Sequence, residues 1–400
     1  MNKILILTII LSSTVLFNIS CSLIAKDEVK ISFTGDIIMH NPIKRSAYKR
    51  NKIDNVTKKS LNNRGFDYFF EKINPYLKSS HVVLGNMEFP IHPPFKSGNM
   101  IFNCYPEILP ALKKAGFTML SFANNHTLDQ GRMGVISSLK YLKKYKFDYI
   151  GVDNNETSAR RGLVINKKGI KIGFIAYTGV TNYPIPRRQR GYFINWFYKT
   201  KKVRADIRAI KKRCDYLIMY VHTGEEYKFY PERKDKRYMK KYINMGVDLI
   251  IGHHPHVLQP IERVKAKDGR ECLIFYSLGN FISNQTYHTM KVRRTDDTAI
   301  VSLYLSKDLK SKKLKSRFEI LSVWTLNNYS RKEKLKTVQP LPIDNEIMAL
   351  KEKIKKNETD KKNIKKKETK EIKSIKRKIR FLKRKGNFIK KILLRWIKKL

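Results

Sequence analysis

From residue 29 onward, short apolar runs alternate with amphipathic stretches. Eight runs read as strands: VKISFTGDI, HVVLGNME, FTMLSFANN, DYIGV, IKIGFIAYTG, DYLIMYVHTG, VDLIIGHH and CLIFYSLGNF. Most are continuous and rich in β-branched residues, the pattern of strands covered on both faces. Residues 65–80 place Phe66, Phe69, Phe70, Ile73, Tyr76 and Leu77 on one side and predict a helix; residues 132–146 and 232–246 predict shorter, more basic ones. LVINKKGIKIGFI reads as a hairpin turning at Asn166–Gly169. Strands alternating with helices predict an α/β domain. After about residue 295, TDDTAIVSLYL and SRFEILSVWTL predict an antiparallel pair that completes a sheet, and past residue 330 apolar content falls. The expected division is a domain over residues 29–330 and a Lys/Arg-rich helical tail over 331–400.

The first 21 residues are expected to be a targeting segment. Lys3 precedes the apolar run ILILTIILSSTVLF, which ends in NISCS. This resembles a bacterial lipobox with Cys21 as the lipidated residue, although Asn18 stands where that pattern prefers Leu. A cleaved signal without lipid, or an uncleaved anchor, is the alternative. Each places the working domain outside the cytoplasm, and the expected localisation is membrane-anchored at the cell envelope, as the lipobox or an uncleaved anchor would make it. The remaining cysteines, Cys104, Cys214 and Cys272, are widely spaced with no C-x-x-C, which argues against a thiolate metal site.

Charge sharpens the picture. The formal net charge is +50 over 400 residues. Such an excess points to an anionic partner: a polyanion, an anionic membrane surface or nucleic acid. Export and the lack of a nucleic-acid-binding module count against nucleic acid. Residues 351–400 hold 23 Lys/Arg against 5 Asp/Glu. Within them Ile375, Ile379, Leu382, Gly386, Ile389, Leu393, Trp396 and Leu400 recur in steps of four and three, a helical stripe with Gly386 as its weak point. Such a helix is expected either to lie on an anionic membrane surface or to be solvated.

The candidate chemistry sits at the ends of the strands. Six end in polar clusters: at Asp36; at Asn86 and Glu88; at Asn124, Asn125 and His126; at His222, followed by Glu225 and Glu226; at His253, His254 and His256; and at Asn280. In open α/β sheets ligands bind outside the carboxyl ends of strands, so six such ends can converge on one crevice. Carboxylate, amide and imidazole donors together suit one or two Mn, Zn or Fe ions. On an extended segment His254 and His256 would share a side, with Pro255 stiffening the link. His81, His92 and His288 fall outside the clusters and read as surface or loop histidines.

FTGDIIM, GNMEFP, ANNHTLDQG, HTGEEY, VDLIIGHHPHVLQ and YSLGNF, in this order, resemble the poly-γ-glutamate capsule biosynthesis protein CapA family of the calcineurin-like metallophosphatase superfamily. The resemblance covers roughly residues 29–305 and leaves out the tail. It implies a four-layer metallophosphatase-like α/β sandwich, with two mixed β-sheets flanked by helices. It implies metal ligands at Asp36, Glu88, Asn125, His222, His254 and His256. His126 would act as general acid, with Asp129 orienting its imidazole. Glu88 takes the place of the bridging carboxylate, with Asn86 as the alternative. Asn86, Asn124, Glu226, His253 and Asn280 would contact substrate or support the ligands. Ile38 stands where the superfamily carries a histidine, and His40 is a substitute at the wrong spacing. Thr223 replaces a family tryptophan.

Three readings of function follow. The first is a membrane-attached protein supporting synthesis or export of an anionic surface polymer. The second is a metal-dependent phosphoesterase acting on a phosphate-bearing envelope component. The third is a non-catalytic binder of polyanion or membrane.

Overall fold

The computed structural model describes residues 28–56, 63–98, 100–186, 188–308, 313–330, 335–359 and 370–397. The expected targeting segment with Cys21 lies outside them, as does Leu400.

Two large sheets form the centre. The first runs in the order Leu335–Pro342, Leu314–Ser330, Asp297–Lys307, Val29–Ile37, Val82–Met87, Met119–Ser121, Asp148–Ile150, and Asn280–Ile282 also pairs with Val29–Ile37. The second runs Ile261–Lys265, Glu271–Phe275, Leu249–His253, Tyr216–His222, Ile170–Thr178, Leu163–Lys167. Both mix parallel and antiparallel pairs.

The two-residue period of a strand sorts side chains between layers. Val82 and Leu84 face the gap between the sheets with Ile31 and Phe33, while Val83 faces the outer helices. In the second sheet, Tyr216, Ile218 and Tyr220 face the gap, and Leu217, Met219 and Val221 face outward. Helices Ile108–Ala115 and Gly131–Lys144 cover the first sheet; Thr200–Lys211 and Arg233–Ile243 cover the second. This is the four-layer α/β sandwich expected. Gly35 and Gly252 make close approach possible. A Cβ on Gly35 would lie 2.0 Å from the Gly279 carbonyl oxygen, and one on Gly252 2.1 Å from that of Tyr276.

Local predictions hold with adjustments. The hairpin Leu163–Lys167/Ile170–Thr178 turns at Lys168 and Gly169, both at positive φ, as a two-residue hairpin turn demands. The helix predicted over 65–80 is two short pieces, Asn63–Phe70 and Asn74–Lys78; Phe66, Phe69, Phe70 and Leu77 on them and Ile73 between them are all buried. Cys272 is buried and Cys214 half-buried, both unbridged.

Two expectations for the C-terminal region change. The boundary at residue 330 does not hold, because Leu335–Pro342 is a strand of the first sheet. The tail helix Lys370–Leu393 also packs on the sandwich. Its Ile375, Ile379, Leu382, Ile389 and Leu393 join the core between the sheets, together with Ile343 and Ile347 of helix Ile343–Thr359. Gly386 fits beneath Ile343 rather than breaking the helix. Lys385, buried, reaches Asp297 at 2.5 Å and Asp296 at 2.9 Å. The apolar stripe is therefore covered by this chain's own core. Among the described residues no helix is long and apolar enough to cross a membrane.

Candidate metal centre

Parallel pairing sets the strand ends side by side. Asp36 is in register with Asn86 on one flank and Asn280 on the other. In the facing sheet His222 is in register with His253 and Thr178. Two rows of polar residues thus meet at the mouth of the gap between the sheets, and all of Asp36, Asn86, Glu88, Asn125, His126, His222, His253, His254, His256 and Asn280 are buried.

Glu88 lies at the centre. Its Oε1 is buried and has no hydrogen-bond partner among the described residues. Three imidazole nitrogens surround it: His256 Nε2 at 3.7 Å, His222 Nε2 at 3.8 Å and His126 Nε2 at 4.0 Å. Burial, then the negative charges of Asp36, Glu226 and Asp129, push the Glu88 carboxyl well above its usual range. Asp36 goes the other way. Burial would raise it, but His253 and His256 hold it well below.

The hydrogen bonds fix which atoms remain free. His256 Nδ1 lies 3.2 Å from Asp36 Oδ2 and 3.0 Å from Asn280 Oδ1, both acceptors, so Nδ1 carries the proton. Its Nε2 lone pair is left facing Glu88, with Glu226 4.0 Å away. On the other side of Glu88, His222 Nε2 sits 2.8 Å from Asn125 Oδ1 and 3.2 Å from His254 Nδ1. Acceptors outnumber donors there, because one proton on His222 Nε2 cannot satisfy an amide oxygen, an imidazole and a carboxylate together. Burial and the charge of His256 lower the pKa of His254 to about 3, and burial with the charge of His254 lowers that of His222. Both rings are therefore neutral, as metal ligands must be. The set fits a divalent cation. Glu226, His254 and His256, and separately Asp36, Glu88 and His256, bring donor atoms within 4.8 Å of one another.

His254 and His256 do converge, though not along an extended segment. The strand ends at His253, and φ is +96° at His254 and +56° at His256. This sparsely populated backbone turns both rings inward, the kind of strain that clusters at functional sites. His253 stacks on Tyr220, with ring centroids 4.6 Å apart, and holds Asp36 Oδ1 at 2.9 Å. Asn124 braces the turn: its amide donates to the Met87 carbonyl and its Oδ1 accepts from the His126 N–H. Asn86 donates to Asp36 at 2.9 Å and Glu88 at 3.2 Å. His40 stays at the edge, its Nδ1 accepting from the Asn284 N–H, and burial with the charges of His256 and His126 lowers its pKa to about 3.

His126 Nδ1 contacts Asp129 Oδ2 at 2.7 Å. Two partners were missed by the sequence reading. The Phe102 N–H donates to Asp129 Oδ2 at 2.5 Å, and the Phe102 ring lies 4.1 Å from that of His126. Asn182 joins Asn125 and His126 through its amide at 3.1 and 3.2 Å. A signal for Asn182 existed: it follows the strand-like run IKIGFIAYTG, whose polar end the strand-end rule did not count. Phe102 acts through its backbone, and no sequence pattern marks that.

The family profile described as "Bacterial capsule synthesis protein PGA_cap" matches residues 30–285. The chain belongs to this family. Capsule biosynthesis protein CapA of Bacillus anthracis is 30% identical over 288 residues, 70% of this chain and 64% of that protein. PGA biosynthesis protein CapA of Bacillus subtilis is 28% identical over 294 residues, 70% of this chain and 69% of that protein. The chain thus spans just under two thirds of the first relative. Among solved structures, the Haemophilus influenzae NAD nucleotidase is similar at 11% identity with a TM-score of 0.42, covering 78% of this chain and 53% of that one. The PGA_cap match includes every clustered site residue from Asp36 to Asn280 and ends before the tail.

Proposed function

We propose that this PGA_cap-family protein works at the cell envelope, exported and membrane-anchored, in making or exporting an anionic surface polymer of the poly-γ-glutamate type. A divalent metal centre would be built on Asp36, Glu88, Asn125, His222, His254 and His256. The observation that carries the metal reading is the orphaned, buried Glu88 Oε1 ringed by three imidazole nitrogens. Family membership and the +50 charge support the polymer. When bound, a Mn, Zn or Fe ion supplies a Lewis acid and lowers the pKa of a water. Asp36 and His256 would hold one side of the centre and Asn125, His222 and His254 the other, with Glu88 between them. That arrangement accommodates one or two ions.

A phosphoesterase is the second reading, and the His126–Asp129 pair favours it. Asp129 accepts the hydrogen bond from Nδ1–H and fixes the ring, so Nε2 faces the donor cluster, where it would pass a proton to a leaving oxygen.

Metal analysis of the purified full chain, followed by assays on phosphate monoesters and diesters with each metal, tests both. Metal at one or two equivalents, lost in Glu88→Gln, is expected. Absence of bound metal overturns the centre, and absence of ester hydrolysis under every metal overturns the second reading. In cells, the polymer reading expects Glu88→Gln to abolish surface polymer, and polymer unchanged by that substitution sinks it.

A further inference from the structure

Part of the charge excess is organised on two helices. Helix Arg233–Ile243 buries Met239, Tyr242 and Ile243. Its other side carries Arg233, Lys236, Arg237, Lys240 and Lys241, which with Lys267 line an open cavity of about 810 Å³ that has no acidic residue in its wall. Glu262 pairs with Lys240 at 2.6 Å and Lys236 at 3.5 Å. Arg233, Arg237, Lys241 and Lys267 have no carboxylate partner among the described residues. Arg233, Arg237 and Lys241 follow one another at four-residue steps, about 6 Å of helix rise apart.

The tail helix repeats the pattern. With its apolar stripe in the core, it exposes Lys373, Arg377, Arg380, Arg384 and Lys391, and Arg395 is exposed just past its end. Just past the tail helix, Trp396 reaches the first helix: Lys236 Nζ lies 4.2 Å from its ring, and Tyr230, three residues before that helix, stacks against it at 6.1 Å. Tyr230 lies four residues beyond Glu226 of the candidate metal centre, and Phe388 of the tail helix packs on Phe229 of the same segment.

We propose that these two helix faces, joined at Trp396, form one extended binding surface for a linear polycarboxylate, leading along the Glu226–Tyr230 segment to the metal centre. The choice of polymer rests on the reading under Proposed function. Uncompensated like charges on one surface repel one another, and an anion that bridges them relieves the repulsion. Each exposed pair contributes little, but regular spacing lets a repeating anion engage many at once. A bilayer fits less well, because the helix has no free apolar face to insert.

The test is fluorescence anisotropy with labelled polyglutamate of defined length and the full chain, in EDTA over rising NaCl. Three triple reversals of equal charge are compared: Arg233→Glu/Arg237→Glu/Lys241→Glu, Arg377→Glu/Arg380→Glu/Arg384→Glu, and a control, Lys140→Glu/Lys143→Glu/Lys144→Glu, on helix Gly131–Lys144. Circular dichroism verifies folding. The first two are expected to weaken binding on the order of tenfold relative to the control and to flatten the salt dependence. Equal affinity in all three overturns the proposal, since net charge alone would then govern binding. Tighter binding of single-stranded DNA, or of phosphatidylglycerol vesicles, lost in the same two variants, overturns the choice of polycarboxylate. EDTA removes the metal centre from the measurement, so failure here leaves the Glu88→Gln test standing, and the reverse.

Discussion

Glu88 is the residue on which the site turns. A carboxylate with one oxygen unpartnered in a buried place is costly unless a cation shares it. Glu88→Gln keeps the shape and removes the charge. It is expected to release bound metal while leaving the circular dichroism spectrum unchanged, as checked by elemental analysis after dialysis. His126→Ala and Asp129→Asn should instead retain metal. If the protein is an esterase, each should lower kcat by roughly 10²–10⁴ for the loss of an oriented proton donor. The histidines also set a pH dependence for the metal-free protein. The pKa of His40 and of His254 falls from 6.5 to about 3 on folding, so the unfolded chain binds more protons between those values. The contribution of these two histidines is then full above about pH 6.5 and is lost as pH falls toward 3, by at most about 1.4 kcal/mol per pH unit per group, while Glu88, raised well above 4.5 by burial and by its acidic neighbours, opposes it with one slope of the reverse sign. Asp36, whose folded pKa is depressed, adds a loss in the same direction at lower pH. Denaturant unfolding at pH 7, 6, 5 and 4 in EDTA reads this slope, and a flat profile contradicts it.

At the scale of elements, the tail helix behaves as part of the sandwich. Leu382 is fully buried, and Leu382→Ala should cost about 2–5 kcal/mol. Lys385 pairs with the buried Asp297, which Arg294 also reaches at 3.3 Å, and Lys385→Met should cost roughly 1–3 kcal/mol by leaving that carboxylate to Arg294 alone. Adding Asp297→Asn should recover part of the loss, a coupling that a double-mutant cycle in urea measures. A tail that merely lay on a membrane would show neither effect in solution. The stripe at steps of four and three was legible in the sequence, because periodicity reports that one face is buried. What buries it was not legible. The partner is formed by the preceding helix Ile343–Thr359, folded back against it, and by strands Asp297–Lys307 and Leu314–Ser330, farther back in the chain.

On the scale of the whole molecule, metal binding and folding are linked. A cation bound by residues from both sheets should raise stability by about 2.7 kcal/mol at a concentration 100-fold above its Kd. Thermal unfolding with and without Mn²⁺, Zn²⁺ or Fe²⁺ measures this, and an unmoved Tm in all three contradicts a centre spanning the sandwich. The sequence by itself determined the α/β class, the strands that carry Asp36 and His222 and those that lead into Glu88 and His256, the His126–Asp129 spacing and the charge excess. The class, the strands and the charge follow from local periodicity or composition, which act along the chain, and the His126–Asp129 pair from the motif resemblance. Only the tertiary structure decided that Glu88 Oε1 stands among three imidazoles, that Asn182 and the Phe102 N–H steady His126 and Asp129, and that positive φ rather than an extended segment aims His254 and His256. Those distances come from the register of parallel strands and from the meeting of two sheets across one gap. Both depend on contacts between residues far apart in sequence, which no local pattern of apolar and polar positions encodes.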